Sequence, residues 1–150
     1  MNTDFWGPHS WVMLHTITFN APLIITDKQK YIELFSNLQD VLPCKYCRQS
    51  YKFFYNNLSI HEYLDDRMGI VYWLYAIHTL VNFKLKKKNM ATFREVVMFY
   101  ESNRAEKLTE DEINLFIINT ERKYLLKTYN YLKNIITKLD AVNWNFEVLT

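Results

Sequence analysis

Almost nothing in this chain would make it turn. Its 150 residues include 2 glycines and 3 prolines. A β-rich fold needs a breaker near most strand ends, whereas helices run on without them. So few breakers, with so many Leu, Ile, Tyr and Lys residues, point to an all-α chain. With 49 % of residues hydrophobic and 17 % aromatic, a large core is available. At this length one domain is expected, burying roughly 68–70 % of its unfolded surface without disulfide staples.

The spacing of apolar residues divides the chain into helices. Pro8 suits a first helical turn, and from it to about Phe19 the residues Trp11, Leu14, Ile17 and Thr18 recur at helical spacing. His15 falls on the face of Trp11. A second helix is expected to open at Thr26, whose spacing to Gln29 makes a capping box, and to stop before Pro43. A third runs from Cys44 to about Asn56, and a fourth from about Asp66 to Lys87. On the fourth, His78 and Asn82 are neighbours on one face. Thr92 and Glu95 form a capping box that starts a short fifth helix to about Glu101. The polar stretch 102–108 is the best candidate for an internal boundary. After it, Thr109 to Glu112 begins an amphipathic pattern through Ile113, Phe116, Ile117, Tyr124, Leu132, Ile135 and Leu139. Unbroken, that helix would be about 45 Å long, so it is expected to break or to project as a partner surface.

Charge and termini exclude several classes. A net charge of +2 is too balanced for a nucleic-acid-binding domain. Met1-Asn2-Thr3-Asp4 lacks the marks of a signal or transit peptide, and no run of about 18 apolar residues would span a membrane. A soluble, cytoplasmic protein is expected.

Both cysteines lie in Pro43-Cys44-Lys45-Tyr46-Cys47. Such a pair is a redox disulfide, half of a zinc site, or two buried small residues. Zinc wants four ligands, and His9, His15, His61 and His78 lack zinc-finger spacing, so no metal is expected. A thioredoxin-like fold needs a strand before the motif, where this chain has helical periodicity. The core reading stands, but Cys44 follows Pro43 at a helix N-terminus. There, unpaired N–H groups and the helix dipole stabilise a thiolate. Singly, His15, His78, Trp6, Trp11 and Trp73 are ordinary core residues, and Lys84, Lys86, Lys87 and Lys88 an ordinary solvated helix end.

Together they form a set. Trp6-Gly7-Pro8-His9-Ser10-Trp11-Val12-Met13-Leu14-His15 resembles the W-G-x-x-x-W-x-x-L-H opening of the Erv/ALR flavin-linked sulfhydryl oxidases. Leu42 to Cys47 is similar to that family's P-C-x-x-C centre. Tyr72 to Lys87 is similar to its W-x-x-x-x-H-N-x-V-N-x-K-L-x-K segment. The three motifs occur in the family's order.

The resemblance implies a compact bundle of four to five helices around FAD, usually a homodimer, over residues 1–101. Residues 102–150 would form a helical C-terminal extension packing on the core or on a partner subunit. It implies a thiol oxidase that makes disulfides in substrate proteins and gives H2O2 from O2. Cys44 and Cys47 would be catalytic, with Cys44 meeting substrate thiols and Cys47 abutting the flavin. Trp6, Gly7, Trp11, His15, Cys47, His78 and Asn82 would bind the cofactor. Lys84 and Lys87 would lie near its pyrophosphate, and Phe99 or Tyr100 would add an aromatic wall. Thr79 stands where the family usually has Asn. With no third cysteine there is no shuttle disulfide within the chain, so electrons must come directly from a dithiol protein or a thioredoxin-like carrier. That economy is similar to the short versions encoded by large cytoplasmic DNA viruses, which would place the protein in host cytoplasm or virion. The alternative is a non-enzymatic helical interaction protein with a structural cysteine pair.

Overall fold

The structure, a computed structural model, describes residues 1–141; the end of the expected extension, 142–150, lies outside the described residues. The fold is all-α. In chain order it has α1 (Thr3–Phe19), α2 (Lys28–Val41), α3 (Lys45–Asn57), a 3-10 turn (Ile60–Tyr63), α4 (Arg67–Lys84), α5 (Phe93–Ser102) and α6 (Glu110–Ala141). Among the described residues the only extended pairing is an isolated bridge between Ile24 and Asp66.

Helix α4 is the axis. Gly69, Ile70, Val71, Tyr72, Trp73, Leu74, Ala76, Ile77 and Leu80 are all buried, and the stripe of Tyr75, His78, Thr79 and Asn82 is half-buried. A helix buried over most of its circumference must be surrounded, and α1, α3, α5 and α6 each pack against it. Its largest side chain, Trp73, is fully buried, with its indole N–H donating to the Leu58 carbonyl at 2.9 Å. The helix ends at Lys84, sooner than its apolar pattern suggests. Lys86 takes φ 55°, and the Lys87 N–H turns back to the Asn82 carbonyl at 3.0 Å, closing the helix end.

Two other boundaries differ from expectation. Helix α1 starts at Thr3, capped by Asn2, so Pro8 lies inside it and leaves the Asp4 carbonyl without its helical donor. The capping box expected at Thr26 does not form. Residues 23–25 are held extended against the start of α4, with the Ile25 N–H on Asp65 and the Arg67 N–H on Leu23. The chain therefore enters α2 only at Asp27, which makes no side-chain cap bond, and Gln29 turns to Glu33 instead. The capping boxes at Thr92 and Thr109 both form.

Helix α6 runs unbroken for 32 residues, about 48 Å, rather than breaking. It buries Ile113, Ile117, Thr120, Tyr124, Thr128, Ile135 and Leu139, while Phe116 and Leu132 are half-buried. Its anchor is Asp66, the N-cap of α4. One carboxylate oxygen accepts the Gly69 N–H at 2.7 Å and the Tyr124 hydroxyl at 3.0 Å; the other accepts Lys123 at 2.6 Å. One further contact seats α6 beside that anchor: the hydroxyls of Tyr63 and Thr128 are hydrogen-bonded at 2.7 Å.

That junction explains Gly69. A Cβ there would collide with the Tyr63 carbonyl and come within 2.7 Å of the Tyr124 hydroxyl. The backbone carbonyl cannot give way as a side chain could. Gly69→Ala is therefore expected to destabilise the chain by about 1–3 kcal/mol, read as a lowered midpoint in urea unfolding; an unchanged midpoint contradicts this account of the junction.

Candidate functional site

The cysteine pair sits where two helices part. Leu42 is extended (ψ 134°) before Pro43, as a residue preceding proline prefers, and Cys44 is the N-cap of α3. The Cys44 sulfur accepts the Cys47 N–H at 3.2 Å, filling the role that Ser or Asp takes at other helix starts. Arg48 closes the turn by donating to the Leu42 carbonyl at 2.6 Å. Both cysteines are half-buried thiols.

Their environments differ. Burial alone would raise Cys44, but hydrogen bonds from Cys47, from the Tyr46 main chain and from Thr3 bring it below the usual thiol range. Cys47 is pushed up to about 11 by burial, by its hydrogen bond with Cys44 and by Cys44's negative charge, against which Lys84 and Thr3 pull it down. Of the two, Cys44 is the one that ionises more readily. Lys84 donates to Ser50 Oγ at 2.9 Å. Ser50 in turn bonds the Tyr46 and Cys47 carbonyls, so this lysine is tied to the first turns of α3. Burial lowers its own pKa, while the cysteines' charge raises it.

A second cluster joins α1 to α4. The Trp11 and His78 rings stack at 3.8 Å with 6° between planes. His15 Nε2 and His78 Nδ1 are hydrogen-bonded at 3.0 Å, and Tyr100 lies against His15 at 5.1 Å. Burial and the neighbouring His78 hold His15 down to about 3; burial and the Lys87 charge hold His78 down to about 4. Both rings are neutral at pH 7, so one donates to the other. In either arrangement His15 Nδ1 remains buried with no partner among the described residues, as does the Trp6 indole nitrogen. Buried polar atoms are seldom left so, and a bound group with its own donors and acceptors would satisfy them.

Trp11, His15 and His78 thus come together, and Lys87 acts on His78. Half-buried Asn82 lies one turn beyond His78. Trp6 lines a separate groove of about 450 Å³ with residues that include Phe5, Met13, Leu38 and Leu42. Gly7 is buried, yet a Cβ there would make only ordinary contact with Thr3. Lys84 is tied to the cysteine helix through Ser50, and the Lys87 charge is felt at His78. Tyr100 packs on His15 and Phe19, whereas Phe99 is exposed and meets the Tyr100 ring edge to face. Thr79 spends its hydroxyl on the Tyr75 carbonyl at 2.9 Å. Thr3 and Ser50 were missed by sequence reasoning. Ser50 was discoverable, since it sits three residues after Cys47 on the same helix face; nothing in the sequence marks Thr3.

Comparison with known proteins gives the same direction. Residues 8–104 match the Erv1 / Alr family. The chain is 31 % identical over 121 residues to a protein of Acanthamoeba polyphaga mimivirus described as a probable FAD-linked sulfhydryl oxidase, covering 79 % of this chain and 83 % of that one. It is 32 % identical over 103 residues to an FAD-linked sulfhydryl oxidase of African swine fever virus, covering 65 % and 82 %. It is 29 % identical over 86 residues to the mitochondrial FAD-linked sulfhydryl oxidase of Saccharomyces cerevisiae, covering 54 % and 43 %.

Two outcomes follow from the charges. In the unfolded chain the histidines titrate near 6.5, above their folded values. The unfolded state therefore binds more protons below that pH, and stability falls as pH drops from about 6.5 towards 4. Urea midpoints should decline over that window, and less steeply in His15→Asn. Separately, Lys84→Met removes a cation that favours the Cys47 thiolate. In a Cys44→Ser background it should slow iodoacetamide labelling of Cys47 at pH 9, by about tenfold for each unit of pKa rise.

Proposed function

The chain belongs to the Erv1 / Alr family, and on that footing we propose that it is an FAD-linked sulfhydryl oxidase whose redox centre is Cys44–Cys47. The observation that carries the assignment of this centre is the unequal pair itself: a helix-capping Cys44 held low and a more buried Cys47 held high beside Lys84.

In its disulfide form the pair meets a substrate dithiol. One substrate thiolate attacks Cys44, a substrate–Cys44 bond forms, and the Cys44–Cys47 bond breaks with its electron pair on Cys47. While Cys44 is bound in that mixed disulfide it carries no charge. The repulsion that raises Cys47 is then gone, while Lys84 remains to favour its thiolate. The second substrate thiol displaces Cys44, leaving an oxidised substrate and a reduced pair. FAD, when bound, supplies the acceptor that takes two electrons from the pair and passes them to O2, giving H2O2. Per turnover, two thiols and one O2 become one disulfide and one H2O2.

The residues present suit that cofactor. The Trp11–His78 stack offers a flat ring surface, His15 Nδ1 an unsatisfied polar atom, and Lys87 a charge for phosphate. Asn82 and the Trp6–Gly7 turn complete the set, with Lys84 placed at the thiols. Residues 1–101 are assigned as the oxidase unit and 102–150 as an extension, which agrees with a family match that ends at 104. Its partner is a dithiol protein or thioredoxin-like carrier. Likeness to viral relatives supports a virus-encoded short version acting in host cytoplasm or virion. No helix among the described residues is long and apolar enough to cross a membrane. A homodimer is part of the same reading, supported by exposed Phe5, Met13 and Val41 on α1 and α2.

The test is direct. Purified chain should show flavin absorbance and consume dithiothreitol with O2 uptake and H2O2 release. Cys44→Ser and Cys47→Ser should each keep the flavin spectrum and lose turnover by at least about a hundredfold. A folded chain that takes up no FAD, or a Cys47→Ser chain that still turns over, contradicts the assignment.

A further inference from the structure

Helix α4 ends on Lys84, whose side chain reaches across to α3. Burial there disfavours the charge it carries, so the ammonium needs acceptors in place of water. Helix α3 offers it no carboxylate, for Lys45 to Asn57 include no Asp or Glu. What α3 offers is the Ser50 hydroxyl, whose oxygen accepts from Lys84 Nζ at 2.9 Å.

That hydroxyl has a fixed sense. Ser50 is 2 % exposed, and a hydroxyl has one proton to give and two lone pairs to offer. The Tyr46 carbonyl at 3.0 Å and the Cys47 carbonyl at 3.3 Å can only accept. The proton therefore goes to them, and the lone pairs are left for the ammonium. Lys84 donates to Ser50, and Ser50 donates to the backbone turn that carries Cys47. A bond of this kind also favours the charged form of the lysine. The helix itself has no use for a serine at this place: inside a helix a back-bonding hydroxyl is mildly unfavourable, and alanine is the better residue. The lysine is what gives the buried hydroxyl a purpose.

We propose that Ser50 is a positioning residue of the redox centre, holding the Lys84 ammonium beside Cys47, the sulfur that keeps the electron pair when a substrate thiol takes Cys44. The inference rests on the assignment of Cys44–Cys47 as that centre. Ser50 does not touch the reacting atoms. It acts through Lys84, whose charge is felt at both sulfurs. As the Cys44–Cys47 bond breaks, its pair stays on Cys47, and a cation already in place stabilises that anion without reorganising. A lysine at a helix end is a flexible point charge with many rotamers. The Ser50 oxygen selects one of them.

The test reads the sulfur and needs neither flavin nor turnover. In a Cys44→Ser chain, iodoacetamide labelling of Cys47 is followed against pH. Ser50→Ala should move that curve to higher pH and slow labelling below its midpoint by about threefold, with circular dichroism unchanged. In a Cys44→Ser, Lys84→Met chain the same Ser50→Ala change should add nothing, because the two act as one unit. Ser50→Val and Ser50→Thr, alike in size and differing in the hydroxyl, give a second comparison: labelling should be about threefold slower in Ser50→Val. An unmoved curve in Ser50→Ala overturns the proposal, as do equal curves for Ser50→Val and Ser50→Thr. So does a Ser50→Ala effect that persists undiminished in Lys84→Met. Turnover in Cys44→Ser and Cys47→Ser is read separately, so the redox assignment and the role of Ser50 can each fail without the other.

Discussion

A helix that is apolar over most of its circumference has to be wrapped, and the architecture here follows from wrapping α4. Its buried residues run from Gly69 to Leu80, so α1, α3, α5 and α6 all find their apolar stripes covered against the same rod. The functional groups are arranged by that demand. His78 reaches α1 because α1 is one wall, and Lys84 reaches Ser50 because α3 is another. The two residues are about 9 Å apart along the axis of α4. The histidine cluster and the cysteine pair are therefore two stations on one rigid element, which is how a scaffold holds groups in register without a disulfide of its own.

Helix α4 is fixed at its start by a single carboxylate. Asp66 caps α4 and receives Tyr124 and Lys123 from α6, so α6 docks at the point where α4 begins. The same place forces Gly69, since the Tyr63 carbonyl leaves no room for a side chain. One of the two glycines in the chain is thus accounted for by packing rather than by a turn.

Much of this was legible. Scarce breakers announced an all-α fold, and the capping boxes at Thr92 and Thr109 gave two helix starts because they are local devices, satisfied by residues three apart. Thr26 and Gln29 carry the same local pattern and failed, because the neighbouring residues 23–25 are tied to Asp65 and Arg67, a long-range constraint that local spacing does not express. The continuity of α6 was hidden for a related reason: its length makes sense only once α4 is seen to need covering. At the site, the vicinal cysteines, His15 and His78 were readable as motif members. The bond from Lys84 to Ser50 was not, because it depends on how the end of α4 packs against α3. Thr3 could not have been found without the fold that brings the start of α1 to the start of α3.

The capping sulfur has a thermodynamic side as well. Cys44 accepts the Cys47 N–H as a helix cap, and a sulfur does this best when it is a charged thiolate. Once it is joined in a disulfide the same bond weakens. Whatever stabilises the reduced pair over the oxidised one makes the disulfide a stronger oxidant. A bond of about 1 kcal/mol corresponds to roughly 20 mV for a two-electron couple. The start of α3 is therefore a setting on the reduction potential, and lengthening that helix by one residue, so that Cys44 lost its cap position, would make the pair a weaker oxidant.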